Sequence, residues 1–260
     1  MEFLKSAKRR SLWSEIAYVS LNLLLAIAIL IVVLAIESPL PAFGLVLLSK
    51  WRVLAVRPRY WFVNIQTNIV DIIVSISLVA LLDAARGALF AQIVITILYA
   101  LWLLVLKPRS KRVLVVAQAG VGVFTGITAL TLVSYDWYAS LVVIGFWLIG
   151  YNTARPVLSA YQPEAHLSFL SLAWGFVIAE IGWISYHWTI AYDLIGVGDI
   201  KLPQVTLIVV IISFLAERVY SSFAHHGHVR SIDVLLPTLL SVSVVLMLII
   251  YFNGIGTSLG

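Results

Sequence analysis

Apolar residues arrive in this sequence in runs of about twenty, one after another almost to its end, and that spacing leaves few folds open. A helix needs roughly 20 apolar residues to cross a hydrocarbon core ~30 Å thick. In lipid every backbone polar group must be paired within the chain, so only helices and closed barrels can span it. Runs of this length read as helices. Composition agrees: 62% of the 260 residues are hydrophobic and 11% are charged, where soluble domains sit near half and about a quarter. The expected fold is an all-α integral membrane protein, a polytopic bundle of about nine transmembrane helices. The count is eight if the short second span does not cross, and the whole chain forms one transmembrane domain with no separate soluble domain.

The runs cover residues 13–36, 42–56, 60–82, 88–106, 113–133, 137–154, 167–189, 202–223 and 234–253. The second is short and carries Lys50 and Arg52. Charge favours keeping it as a crossing. With the N-terminus cytoplasmic, fifteen of the seventeen Lys and Arg residues fall inside, and Arg86 and Lys201 outside. The inner set includes Lys5, Lys8, Arg9, Arg10, Lys50, Arg52, Lys107, Arg109, Arg112, Arg155, Arg218 and Arg230. Removing the second crossing would place residues 107–112 outside, against the positive-inside rule. Trp13, Trp51, Trp61 and Trp102 then lie near the inner interface, and Trp137 and Trp188 near the outer one, as aromatic belts do. The first run is longer than a signal-peptide core and is read as a retained helix. Short loops favour a bacterial plasma (inner) membrane.

Ionisable groups within apolar runs are costly and raise a functional hypothesis by default. Asp71 and Glu180 are two such acids. Tyr60, Asn64, Thr67, Asn68, Asp71 and Ser75 recur at helical spacing and form one polar face. Phe176, Glu180, Trp183 and His187 share another. Asp71 stands 11 residues and Glu180 13 residues from the inner ends of their runs, hence at similar depth. The expected ion or substrate path is lined by Asp71, Glu180, Asn64, Asn68, Thr67 and His187. A purely structural role, as hydrogen-bonding glue between helices, is the competing reading.

Other features carry less. Ala119, Gly122, Gly126 and Ala129 make a small-residue stripe suited to close helix packing, and Gln92 and Gln118 suit interhelical donors. Arg57-Pro58, Lys107-Pro108 and Arg155-Pro156 recur about every fifty residues, a weak trace of a repeated helical hairpin. His225, His226 and His228 read as a surface loop rather than a metal site. Gly196-Val197-Gly198-Asp199 reads as a turn, since an ion filter needs several copies of such a string. The absence of cysteine rules out disulfides and thiolate sites, and no hydrolase, zinc-protease or phosphate-loop motif occurs. The stretch 83–87 lacks the acid spacing of the phosphatidyl-alcohol transferase motif. Glu37, Asp136, Asp193 and Asp199 are positioned as outer acids for an embedded enzyme, but suit solvated loops better. No cofactor, metal or catalytic residue is expected, nor nucleic acid, because the basic residues sit in short clusters between runs. Partners are membrane lipids, with other membrane subunits or further copies of the chain also possible. A small solute or ion transporter is the leading expectation, ahead of a subunit of a membrane complex and of an embedded enzyme acting on lipid-linked substrates.

Overall fold

The computed structural model describes residues 12–108, 111–161, 166–188, 190–193 and 201–250. The N-terminal basic cluster, Arg109 and the string Gly196–Asp199 lie outside the described residues. Within them the regular structure is helical, with a 3-10 turn at Pro58–Tyr60, apart from one two-stranded hairpin. Its helices are α1 (Leu12–Ala35), α2 (Leu40–Ser49), α3 (Trp51–Leu54), α4 (Trp61–Ala84), α5 (Leu89–Leu101), α6 (Arg112–Val133), α7 (Ala139–Ser159), α8 (Leu167–His187), α9 (Gln204–His226) and α10 (Ser231–Ile250). A π-helical turn, Trp102–Leu106, extends α5. The hairpin pairs β1 (Ala191–Asp193) with β2 (Lys201–Pro203) in antiparallel register, inside what the sequence marks as a loop. Eight helices among the described residues are long and apolar enough to cross a membrane.

The second run differs from its expectation of one helix over residues 42–56. It divides at Lys50 into the 10-residue α2 and the 4-residue α3. At ~1.5 Å per residue, α2 covers only half of a ~30 Å core. The broken segment nonetheless carries the chain from one end of the bundle to the other. At its start, Arg86 beyond α4 donates to Ile36 O at 3.0 Å. At its finish, Asn64 Nδ2 donates to Val53 O and Trp61 Nε1 to Val56 O, near the α4 N-terminus. Arg57 then takes an extended ψ of 138° before Pro58, because a proline ring excludes helical geometry from the residue it follows.

Two cores hold the bundle. One packs α1, α2, α4 and α5 around Ile29, Val46, Val79, Leu82 and Leu103. The other packs α6 to α9 around Ile127, Phe146, Ile178 and Val209. The small-residue stripe of α6 seats it against α4 and α7, as the sequence suggests. A Cβ on Gly122 would stand 3.1 Å from Val70, and one on Gly126 3.0 Å from Ile73. Helix α9 runs further than the eighth run and takes in His225 and His226, which are helical rather than loop residues. It stops at Gly227, whose positive φ of 72° suits the left-handed turn that ends a helix.

Candidate functional site

Asp71 is the centre of a buried charge cluster. It lies midway along α4 and its side chain keeps only 11% of its surface. The Lys50 ammonium, at the break between α2 and α3, bonds its Oδ2. The Lys107 ammonium bonds the same oxygen at 3.0 Å. Trp102 directs its indole N–H at Oδ1 over 3.5 Å. Below them Tyr99 donates to Ser75 Oγ at 3.0 Å, and Ser75 donates to the Asp71 carbonyl at 2.6 Å.

Two backbone irregularities place these partners. Lys50 caps α2 outside helical geometry, with φ −95° and ψ 6°, so its side chain leaves the helix axis toward α4. The π-helical turn closes with Lys107 N bonded to Trp102 O at 2.9 Å. That extra residue per turn brings Trp102 and Lys107, five apart, to the same carboxylate. Single π-turns and broken helices inside apolar bundles recur at functional sites. Here one of each converges on one side chain.

The charge count is unequal: two ammonium groups face one carboxylate. Lys50 and Asp71 are nearly fully covered, while Lys107 keeps 30% of its side-chain surface. The cluster therefore holds a surplus positive charge and meets its surroundings through Lys107.

The other expected site residues are placed as follows. Asn64 turns to α3 and ties Val53 down. Thr67 is exposed and bonds its own helix at Asn64 O, and Asn68 does the same. Asn68 also donates to Thr67 Oγ1 at 3.3 Å, and the partners of the Asp71 carboxylate are Lys50, Lys107 and Trp102 rather than these groups. Glu180 is exposed on α8 beside Phe176, Val177 and Trp183, which are exposed as well. His187 is exposed too, its ring 5.0 Å from that of Trp183. Helix α8 packs on α7 and lightly on α9, through Ser171, Gly175, Ile178, Ala179 and Gly182. The structure does not bring Glu180 or His187 to Asp71. Were α8 to cross lipid, an outward-facing carboxylate there would be costly, so replacing Glu180 by Gln should raise thermal stability or lower it by less than about 0.5 kcal/mol. A larger loss would show that Glu180 has a partner.

Sequence reasoning missed Lys50, Lys107 and Trp102, assigning the first two to topology and the third to an interfacial belt. One signal was present: Lys50 interrupts an apolar run that is otherwise uncharged up to Arg52. Among the described residues no group of acids and histidines is arranged to hold a metal ion.

Comparison with known proteins adds no relative. The chain matches no known family, and no match to it is found among curated proteins or solved structures.

Proposed function

We propose that this chain is an integral membrane protein that carries a small anionic solute, with Lys50 and Lys107 as the binding cations. Asp71 then occupies the two lysines when solute is absent. The observation that carries the reading is the pair of ammonium groups on one carboxylate oxygen, at a helix break and a π-turn.

Eight long apolar helices and a broken ninth pass suit nine crossings. The end bearing Lys107, Arg112, Arg155 and Arg218 is cytoplasmic under the positive-inside rule, in a plasma membrane. The surplus charge selects the solute's sign. A cation approaching the cluster meets net repulsion, whereas an anion can take over one or both lysines as Asp71 withdraws. In a low-dielectric interior an uncompensated ammonium is expensive, so exchange of one anion for another is favoured over vacancy. The break at Lys50 supplies a joint about which α2 and α3 can move separately, as discontinuous helices do in carriers.

The burial of Tyr99 and Trp102 beside Asp71 supports a second reading, a fixed cross-link in a structural subunit. Proteoliposomes separate the two. Vesicles loaded with labelled chloride, inorganic phosphate or acetate, and placed in the same unlabelled anion, should release at least one of these labels through the wild-type protein. Lys50→Met should cut that flux at least about tenfold, equivalent to ~1.4 kcal/mol. Glu180→Gln should not change it. Release equal to that of protein-free vesicles for all three anions would leave the cross-link as the better account.

A further inference from the structure

A cavity of about 410 Å³ lies in the other half of the bundle, between α6, α7, α8 and α9. Val116, Val123, Leu158, Leu170, Trp174 and Val210 are among the apolar residues of its wall. Its size and apolar lining are those of a small-molecule site. Three further observations bear on what fills it.

Gly120 lines the cavity from the middle of α6, and a Cβ there would meet nothing within 4 Å. Gly122 and Gly126 on the same helix are explained by the side chains of α4 and α7 against them. Gly120 has no such reason, yet glycine within a helix costs ~1 kcal/mol relative to alanine. What it preserves is the width of the cavity. Ser213, also in the wall, has a buried hydroxyl without a hydrogen-bond partner. An unpaired buried hydroxyl costs on the order of 1–3 kcal/mol, so this stretch of wall is not optimised as packed core, although an alkyl chain passing it would leave the hydroxyl unpaired.

The mouth has the opposite character. Glu217 and Tyr220 line it, and Tyr161 donates to Glu217 Oε1 at 2.7 Å. Burial raises the Tyr161 phenol above its ordinary value. Arg112 lies 4.3 Å above the Tyr161 ring. It donates to Ser221 Oγ at 3.1 Å and faces His225 Nε2 at 3.2 Å. Those contacts engage two of its five N–H groups. Arg218 stands 3.7 Å from Glu217 Oε2. Glu217 is the charged residue of the lining, while Arg218 beside it and Arg112 beyond the Tyr161 ring, both outside the lining, give this end of the cavity more positive than negative side chains.

We infer that this cavity binds an amphiphile with one apolar chain and an anionic head, the chain between α6 and α9 and the head at Arg112. The inference is independent of the Asp71 cluster, which belongs to the other core. Dodecyl phosphate, dodecanol and inorganic phosphate serve as probes on the full chain in zwitterionic nanodiscs, with binding read by titration calorimetry. Dodecyl phosphate should bind, dodecanol about tenfold more weakly, and inorganic phosphate should displace neither of them; one tenfold step is ~1.4 kcal/mol. Gly120→Leu should abolish binding of both chain-bearing probes without lowering the unfolding temperature. Should that variant fail to fold, Ala216→Leu narrows the cavity from α9 and carries the same expectation. Arg112→Gln should weaken dodecyl phosphate about tenfold and leave dodecanol unchanged. Binding that survives the cavity-filling variant, or that ignores Arg112, overturns the inference.

Discussion

Asp71→Asn is expected to be the most damaging conservative substitution in the molecule, costing about 3 kcal/mol of stability. The reason is electrostatic rather than steric. Asparagine fills the same volume but leaves two ammonium groups that both bonded one oxygen facing each other across an uncharged amide. Breaking a buried ion pair from one side costs about 3–5 kcal/mol, because the other charge stays buried and unpaired. The lower figure applies because Lys107 is partly exposed and can turn its head to water along its flexible stem. Lys50→Met should cost less. It leaves a neutral Asp71–Lys107 pair and keeps an unbranched apolar side chain at the break. The double variant should be more stable than Asp71→Asn alone, since it removes the surplus charge that makes the single variant unstable. Thermal unfolding in detergent measures all three. Added phosphate should stabilise Asp71→Asn and not Lys50→Met if an external anion can stand between the lysines. A loss under about 0.5 kcal/mol for Asp71→Asn would mean that the cluster is far more hydrated than its burial implies.

The second large effect lies in the seam between α7 and α8. Gly182→Ala should cost about 1–3 kcal/mol, the usual range for overpacking a close-packed core. A Cβ there would stand 2.5 Å from Phe146 Cγ and 2.8 Å from Phe146 Cβ. Neither atom is the free end of a flexible side chain, and Phe146 is itself fully buried. Gly150 faces the same constraint across the seam, 2.8 Å from Ile178 Cβ. Phe146→Leu should partly suppress Gly182→Ala, with the double variant less damaged than the two losses added together. Residues in contact couple by about 0.5–3 kcal/mol in such cycles. Strict additivity would mean that the helices part to admit the methyl group. Gly120→Leu, on a helix face with open space, should show no such loss, so the two glycines test packing in opposite senses.

Most of the architecture is legible in the sequence because apolar length is a property of each segment alone. The eight long helices follow runs whose extent is readable without knowing any neighbour. The α6 stripe is legible for a similar reason, since small residues at helical spacing have few other uses. What fails to show is anything set by two segments together. The break at Lys50 depends on a carboxylate 21 residues later, and the π-turn at 102–106 leaves no periodic trace in five apolar residues. Charge was therefore read as sidedness where it also serves as a counterion. The orientation of Glu180 is a different kind of miss. Ser171, Gly175, Ala179 and Gly182 mark the packing face of α8 as small, and Glu180 lies with Phe176 and Trp183 on the bulky one. That contrast was available from side-chain size, but an acid in an apolar run draws attention inward. The Arg112 mouth joins residues from α6, α9 and the end of α7, and distance along the chain hides it.

The broken segment also bears on how the protein is made. A ten-residue apolar helix ending in a lysine is a poor substrate for partition into a bilayer on its own. Its counter-charge is synthesised only when Asp71 emerges, after the ribosome has passed α3 and half of α4. During that interval α2 must wait against α1 or outside the hydrocarbon, held by the short link at Pro39. In a chain inserted as proposed, partition of α1 through α4 would be a delayed, joint event rather than a succession of independent insertions. A nascent chain arrested before residue 71 should leave Lys50 accessible to aqueous reagents, and one arrested well beyond it should not.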